Sequence, residues 1–385
     1  MFDRRTLRAR RPLTFLAFAA LAVATIATNL PASSAVGATC VPLVNGQADI
    51  ASHATYTTFC LSGTHNWSLM PKTGDQFVGP AVLDGAHTTQ FAFSTGSASD
   101  SVTLSNLEIR NYNPPHGLAA IQSSGSAAAA GWVLSNLNVH DNGSSVGGAG
   151  ANLGVNWQVW GGRYWNNAQL GLIDSTGTGA LVDGAEIDHN NFTDGTYTKR
   201  MISCSDESGG FKWFAANVTV RNSRVHDNAC AGLWSDSANG GVLLNNAVYN
   251  NWNEGIFVEI SSNVNITNNT LWNNGWYGGD GSNANVRSCN YWIYGGGISL
   301  ATSSQVDIGG NLLYMNCQGI TGTQEPRPGA PTSQLQNISV HDNTIAGPGG
   351  ATGFSSWPKV TMTNRNLTFA NNTMMNGMNF CALTC

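Results

Sequence analysis

The chain has 385 residues, of which only 10% are charged and 45 are glycine. Ordinary globular domains have about 25% charged residues, so this composition is typical of many short strands joined by tight turns. The formal net charge is −5 and the sequence contains no basic stripe, which argues against nucleic acid as a partner.

The N-terminus has the organisation of an export signal. Five arginines within residues 4–11 precede an apolar stretch at 13–27, and Val36-Gly-Ala38 offers small residues for cleavage. The apolar stretch is too short to cross a membrane of about 30 Å. We therefore predict that residues 1–38 are a signal peptide, with Sec and twin-arginine export both open. The remainder would be secreted into the extracellular space, free of the membrane, with a net charge of −9 that disfavours a strongly anionic substrate.

All eight cysteines follow residue 38, and an even number in an exported chain favours disulfides. A zinc site is the alternative, but the sequence has no pair of Cys-x-x-Cys motifs to support it. Neighbours in sequence are the natural partners, because two of the pairs are separated by about one repeat of the chain. The predicted bridges are Cys40–Cys60, Cys204–Cys230, Cys289–Cys317 and Cys381–Cys385.

A short sequence repeat organises the chain. Runs of alternating apolar and polar residues end at asparagine-rich turns, and Val225, Val248 and Leu271 hold one position of the repeat at equal intervals. A fixed period of about 23 residues indicates stacked coils, and the alternation within each coil indicates β-strands. We predict a single domain over residues 39–385, in which residues 39–75 form an N-terminal cap. The pattern is compatible with a short cap helix over Gln47–Ser52 without establishing it.

Three insertions interrupt the coils, at residues 191–210, 275–297 and 322–336. Loops of this length in a compact domain are usually functional or disordered. The middle insertion is rich in aromatic residues and carries Cys289, which favours an ordered, functional loop.

One repeat, Val218-Thr-Val-Arg-Asn-Ser-Arg-Val-His-Asp-Asn228, resembles those of the pectin-lyase-like superfamily. The resemblance covers roughly residues 75–380 and implies an all-β fold, a right-handed parallel β-helix (solenoid) with an N-terminal cap and inserted loops. That superfamily includes polysaccharide lyases, glycoside hydrolases, epimerases, adhesins and phage tailspikes. The resemblance is therefore specific for the fold and not for an activity.

Three charged residues occupy related positions in successive coils. Gly232-Leu-Trp-Ser-Asp236 aligns with Gly255-Ile-Phe-Val-Glu259, and Lys212 precedes Asp236 by about one repeat. Neighbours in a parallel ladder are about 4.8 Å apart. We predict that Lys212, Asp236 and Glu259 form one column on one face, and we take that column as the candidate catalytic site.

Two carboxylates on neighbouring coils suit cleavage of a glycosidic bond, and Glu207 in the preceding loop is a further candidate. In the alternative elimination chemistry, Lys212 would take the proton beside a uronate carboxylate while acids hold Ca²⁺, the one cofactor considered. The sequence leaves any metal site unassigned. The leading hypothesis is a monomeric protein that cleaves an extracellular polysaccharide. The alternatives are a non-catalytic glycan-binding or cell-surface structural protein, and a surface ion-pair ladder that contributes little to stability.

His226 lies on the coil of Asp236 and is kept as a candidate catalytic residue. It shares a His-Asp-Asn turn with His140 and His341, a recurrence that favours turn hydrogen bonding. Aromatic residues near the same coils are candidate sugar-binding residues, with core packing as the alternative. They are Trp213, Trp234, Trp276, Tyr277 and Trp292.

Overall fold

The computed structural model describes residues 40–96, 99–125, 127–193, 195–276, 289, 295–326, 334–347, 350–356, 365–375 and 379–381. The predicted signal peptide and its boundary at residue 38 lie outside the described residues, so both remain predictions.

The described residues form 34 short strands, one helix, α1 (Gln47–Ser52), and two 3₁₀ turns, at Ala127–Ala129 and Cys204–Asp206. The first strands are β1 (Val41–Pro42), β2 (Thr58–Cys60), β3 (Thr64–His65), β4 (Gln76–Asp84), β5 (Phe93–Ser94), β6 (Thr103–Arg110), β7 (Ala119–Gln122), β8 (Val133–Ser135), β9 (Asn138–His140), β10 (Ala149–Asn152), β11 (Gln158–Trp160) and β12 (Arg163–Trp165). The central strands are β13 (Leu170–Asp174), β14 (Leu181–Asp183), β15 (Glu186–Asp188), β16 (Gly209–Trp213), β17 (Val218–Arg221), β18 (Arg224–His226), β19 (Ala231–Asp236), β20 (Asn239–Leu244), β21 (Ala247–Tyr249), β22 (Ile256–Glu259), β23 (Ser262–Thr267) and β24 (Thr270–Trp272). The last strands are β25 (Gly296–Ala301), β26 (Ser304–Gly309), β27 (Leu312–Tyr314), β28 (Gln318–Gln324), β29 (Gln336–His341), β30 (Thr344–Ala346), β31 (Ala351–Ser356), β32 (Leu367–Ala370), β33 (Thr373–Met375) and β34 (Asn379–Cys381).

These strands pair from coil to coil into a 23-stranded and an 11-stranded parallel sheet. The larger sheet consists of two ladders joined by the long strands β4 and β6, and the smaller sheet is a third ladder. A typical coil supplies one strand to each: β17 to the first ladder, β18 to the second and β19 to the third. The fold is therefore the predicted right-handed parallel β-helix.

The interior is filled by stacks of identical or similar apolar side chains. Because strand side chains alternate between faces, every second residue of each strand points inward, and its neighbours are the equivalent residues one coil above and below. The predicted inward position of the second ladder is confirmed, since its residues are register partners and fully buried. They are Val225, Val248, Leu271 and Leu313.

Buried asparagines close the turns between ladders. The Asn251 amide donates to Asn274 at 3.0 Å and to the carbonyl of Val225 at 3.1 Å, and it accepts from Asn228 at 2.9 Å. The same contacts recur from Asn142 to Asn316 after the second ladder. Each amide thereby satisfies a buried backbone carbonyl that the turn would otherwise leave unpaired.

The disulfides follow the predicted pairing wherever the structure describes it. Cys40 bonds to Cys60 at the N-terminal cap, and the two bridges Cys204–Cys230 and Cys289–Cys317 each span about one coil. The predicted partner of Cys381, Cys385, lies outside the described residues. The cap helix is present over Gln47–Ser52 and packs Ile50 against the end of the core.

One carboxylate points into the interior. Asp174, at the end of β13, is fully buried beside its register partner Trp213. Its Oδ1 accepts from the backbone N–H of Gly177 at 2.8 Å, whereas its Oδ2 has no hydrogen-bond partner among the described residues. Burial raises the pKa of Asp174 to about 7, although backbone hydrogen bonds from Gly177 and Thr176 act in the opposite direction.

We predict that Asn251→Ala lowers the free energy of unfolding by at least about 2 kcal/mol, because it leaves Asn228, Asn274 and a buried carbonyl without partners. The measurement is the urea unfolding midpoint. Asn265→Ala, at an exposed position of β23, is the matched control and should change stability by less than about 0.5 kcal/mol. Equal losses in the two variants would contradict the role of the ladder.

We predict that Asp174 makes stability fall as the pH rises. Its folded pKa lies above the ordinary value of 3.8, so its contribution is complete below about pH 4 and is lost as the pH passes about 7. Asp174→Asn should remove this loss, which is on the order of a few kcal/mol. Urea unfolding at pH 5 and pH 8 measures it, with Asp100→Asn, at a partly exposed position, as the control. A wild-type protein equally stable at both pH values would contradict the prediction.

Candidate functional site

A lysine lies buried on the outer face of the third ladder. In β16, Phe211 and Trp213 point into the core, and Lys212 between them points outward. Lys212 is nevertheless only 1% exposed. Its Nζ lies 2.8 Å from Asp236 Oδ2 and 3.3 Å from Glu207 Oε1, and 3.4 Å from the centre of the Trp234 ring.

The predicted column is correct for the two acids and wrong for the lysine. Asp236 and Glu259 are register partners in β19 and β22, whereas Lys212 pairs with Trp234. The cause is a shorter turn after β16 (214–217) than after the equivalent position of β19 (236–240). Lys212 therefore lies two residues out of register, on the same face, and its long side chain still reaches Asp236.

Glu259 joins this group through an indole. Trp234 Nε1 donates to Glu259 Oε2 at 3.0 Å, and the Trp234 ring covers the Lys212 ammonium. We call Glu207, Lys212, Asp236 and Glu259 the acid–lysine cluster. Its side chains come from three segments of the chain: the loop before β16, strand β16 itself, and the ends of β19 and β22.

The loop that carries Glu207 is fixed at several points. The disulfide Cys204–Cys230 attaches it to the chain just before β19. Gln169, which is fully buried, donates from Nε2 to the carbonyl of Glu207 at 2.9 Å. Glu207 itself has a left-handed backbone, with φ of 58°, and this conformation ends the 3₁₀ turn. The side chain of Glu207 is thereby held above Lys212.

The geometry of the acid–lysine cluster separates the two chemistries. An ammonium bonded to two carboxylates and covered by an aromatic ring serves as a cation, whereas proton abstraction requires an accessible free amine. Lys212 also takes the position between Glu207 and Asp236 that a Ca²⁺ ion would need, so this arrangement does not fit that metal. The acids are the accessible groups, with side-chain exposures of 40% for Glu207 and 15% for Asp236.

Two further candidates are located away from this cluster. Trp213 is fully buried in the core, so its predicted role in sugar binding is wrong. His226 belongs to the second ladder, and its contacts are with Asp227 at 2.7 Å and Glu186 at 3.2 Å. It is separated from the acid–lysine cluster by the turn between the second and third ladders. Like His140 and His341, it bonds to the following aspartate, as the turn interpretation predicts.

Of the other aromatic candidates, Trp234 is almost fully buried and packs against Phe257. Trp276 is partly exposed and donates from Nε1 to the carbonyl of Met315 at 2.8 Å. Tyr277 and Trp292 lie outside the described residues. The described aromatic candidates therefore support or flank the acid–lysine cluster and do not form an open platform beside it.

Sequence reasoning missed a charged network on the second ladder. Glu186, Asp188 and His226 bring potential metal ligands within 4.8 Å of one another. Arg163 bonds both oxygens of Asp188, at 2.8 and 2.6 Å, and Arg224 bonds Glu186 at 2.7 Å. The signal was present, because Arg163, Glu186 and Arg224 occupy one register position in successive coils.

The arginines decide the electrostatics of this network. Burial alone would raise the pKa of Glu186 and Asp188, but hydrogen bonds from the arginines and histidines hold both below the usual range. Burial alone would lower the pKa of His226, but bonds to Asp227 and Glu186 and the charge of Asp188 raise it. With its carboxylates already paired to guanidinium groups, the triad does not fit a divalent cation.

The second ladder also carries a stack of aromatic rings. Tyr249 lies over His226, with ring centres 4.5 Å apart, and Trp272 lies over Tyr249 at 4.0 Å. Tyr314 continues the stack, nearly parallel to Trp272 at 5.7 Å. Among the residues that the structure describes, no helix is both long and apolar enough to span a membrane.

Comparison with solved structures finds the same fold in polysaccharide-modifying modules. The A-module of the mannuronan C-5 epimerase AlgE4 of Azotobacter vinelandii is 14% identical, with a TM-score of 0.58 over 88% of this chain and 94% of that chain. The AlgE6 A-module of the same organism is 15% identical, with a TM-score of 0.57 over 88% and 90%. PfbA, a surface adhesin of Streptococcus pneumoniae, is 11% identical, with a TM-score of 0.46 over 87% and 86%. At these identities the likeness concerns the fold.

No curated protein sequence matches the chain. A family model described as the right-handed beta helix region matches residues 92–290, which is more than half of the sequence. The match covers coils from β5 to the long insertion after β24, including Glu207, Lys212, Asp236 and Glu259. The chain therefore belongs to the right-handed β-helix family.

Proposed function

We propose that the protein is a secreted glycoside hydrolase that cleaves an extracellular polysaccharide at the acid–lysine cluster. The observation that carries the proposal is the meeting of Glu207, Asp236 and Glu259 around a buried lysine. Three acids from separate segments on one face exceed what a solenoid needs for stability, because exposed ion pairs contribute little.

Hydrolysis requires two carboxyl groups, one to protonate the leaving oxygen and one to act as base or nucleophile. Asp236 and Glu259 are the proposed pair, since they are adjacent in one ladder and about 4.8 Å apart along the axis. Lys212 would orient Asp236, and Trp234 would orient Glu259. The close spacing favours a retaining mechanism, for which the carboxyl groups are about 5–5.5 Å apart.

The charge of the site bears on the substrate. Three carboxylates face one lysine, and the lysine is inaccessible. A polyuronate would bring further negative charge to this face without an open cation to receive it. A neutral polysaccharide is therefore the proposed substrate class. Export is supported by the disulfides, which persist in oxidising compartments.

A non-catalytic glycan-binding or surface protein is the second candidate. It is favoured by the enclosure of Lys212, whose contacts to Asp236, Glu207 and Trp234 leave it with a structural role. The two candidates differ in a measurable way, because a hydrolase releases reducing ends and a binding protein does not. Elimination would instead create a conjugated double bond that absorbs in the ultraviolet.

We predict that Glu259→Gln lowers turnover by about 10²–10⁴-fold, the range that general acid–base catalysis contributes. The glutamine oxygen can still accept from Trp234 Nε1, so the melting temperature should stay within a few degrees. Turnover is measured as reducing ends released from a panel of neutral polysaccharides. Glu325→Gln, at a partly buried position after β28, is the matched control and should keep full activity.

Wild-type turnover in Glu259→Gln would remove this residue from the site. Binding of a polysaccharide by the wild-type protein, without release of reducing ends or unsaturated product, would replace the hydrolase with the non-catalytic candidate.

A further inference from the structure

A second groove lies on the other sheet, along the bend between the first and second ladders. It has a volume of about 780 Å³ and extends from Gly63 to Arg224 across successive coils. The backbone turns there through left-handed residues, such as Asn136 with φ of 51° and Gly162 with φ of 80°. A side chain at Gly162 would meet the carbonyl of Leu137 at 2.5 Å, so this part of the groove floor is bare.

One wall of this groove, which we call the outer groove, is a single register row. Its members point outward from the second ladder and are partners of one another in consecutive coils. At about 4.8 Å per coil, the row is roughly 24 Å long. The row consists of Val82, Glu108, Asn138, Arg163, Glu186 and Arg224.

The charges of this row are already neutralised within the protein. Arg163 bonds Asp188 through Nε and one terminal nitrogen, and Arg224 bonds Glu186 at 2.7 Å. Glu108 accepts from Arg110 at 2.7 Å through one of its two oxygens. An ionic ligand would have to break these pairs, and breaking a partly buried pair leaves an uncompensated charge.

Hydrogen-bonding capacity nevertheless remains in the row. Arg224 directs one terminal nitrogen at Glu186, is 61% exposed, and has four further N–H donors. Arg163 retains its second terminal nitrogen, and Glu108 retains its second oxygen. Hydroxyl groups can donate to such oxygens and accept from such nitrogens without disturbing the ion pairs. A long, uncharged, hydroxyl-rich chain therefore fits this surface better than a charged one.

We propose that the outer groove binds an extended neutral polysaccharide, as a surface separate from the acid–lysine cluster. The ligand lies along the helix axis, and its successive sugar units meet successive coils. Recognition is by hydrogen bonds to the row from Glu108 to Arg224. This surface retains the polymer, and binding to it requires no turnover at the third ladder.

The test measures retention of the full mature protein in native gels that contain one polysaccharide each. The neutral probes are xylan, galactomannan and β-1,3-glucan, and the charged probes are polygalacturonate and alginate. Val82→Arg places a long side chain in the groove, and Arg224→Ala removes its exposed donors. Val242→Arg is the matched control, because Val242 is 39% exposed on β20 of the same sheet, outside the groove.

We expect at least one neutral polysaccharide to retard the wild-type protein. Val82→Arg and Arg224→Ala should each weaken binding about tenfold, the effect of losing one or two hydrogen bonds. Val242→Arg and Glu259→Gln should bind as the wild type does. Glu259→Gln separates the two proposals, since it removes turnover without touching the outer groove.

Three results would overturn the proposal. The first is no retention by any neutral probe, and the second is stronger retention by the polyuronates. The third is binding that survives Val82→Arg and Arg224→Ala but is lost in Glu259→Gln, which would assign all binding to the third ladder.

Discussion

Hydrogen bonding between buried asparagine amides is the constraint on which the other features of this β-helix depend. Each coil must turn sharply between ladders, and each turn buries backbone groups that water cannot reach. An amide side chain offers a donor and an acceptor at once, so one asparagine can satisfy the turn of its own coil and bond to the coil above. A residue inserted in one turn changes the register of the outward side chains, while the amide ladder keeps the coils stacked.

The fold was predictable because periodicity alone specifies it. The equal spacing of Val225, Val248 and Leu271 along the chain requires no knowledge of packing, and the structure places these residues in one inward stack. The disulfides were predictable for a related reason, since cysteines one period apart are neighbours in space. Helix α1 was less certain, because six residues carry too little pattern to establish a helix.

The site was only partly predictable, because the length of a turn is not fixed by the repeat. Asp236 and Glu259 share a row, but the turn after β16 is shorter and moves Lys212 out of theirs. Burial was the second difficulty. Lys212 is enclosed by Trp234 from the next coil and by Glu207 from an inserted loop, and neither contact follows from the position of Lys212 in its own strand. The same limit applies to Asp188, which is charged and fully buried because Arg163 reaches it from the preceding coil.

The stack of Tyr249, Trp272 and Tyr314 has a consequence for how sugars could be recognised on the second ladder. Rings that lie parallel at 4.0 and 5.7 Å present their faces to one another and only their edges to the solvent. Carbohydrate-binding proteins commonly lay the flat, hydrogen-covered side of a pyranose against an aromatic face, and here those faces are already covered. Selection among sugars on this side would therefore depend on the direction of individual hydroxyl groups, so epimers that differ at one carbon should be distinguished more sharply than polymers that differ in overall shape.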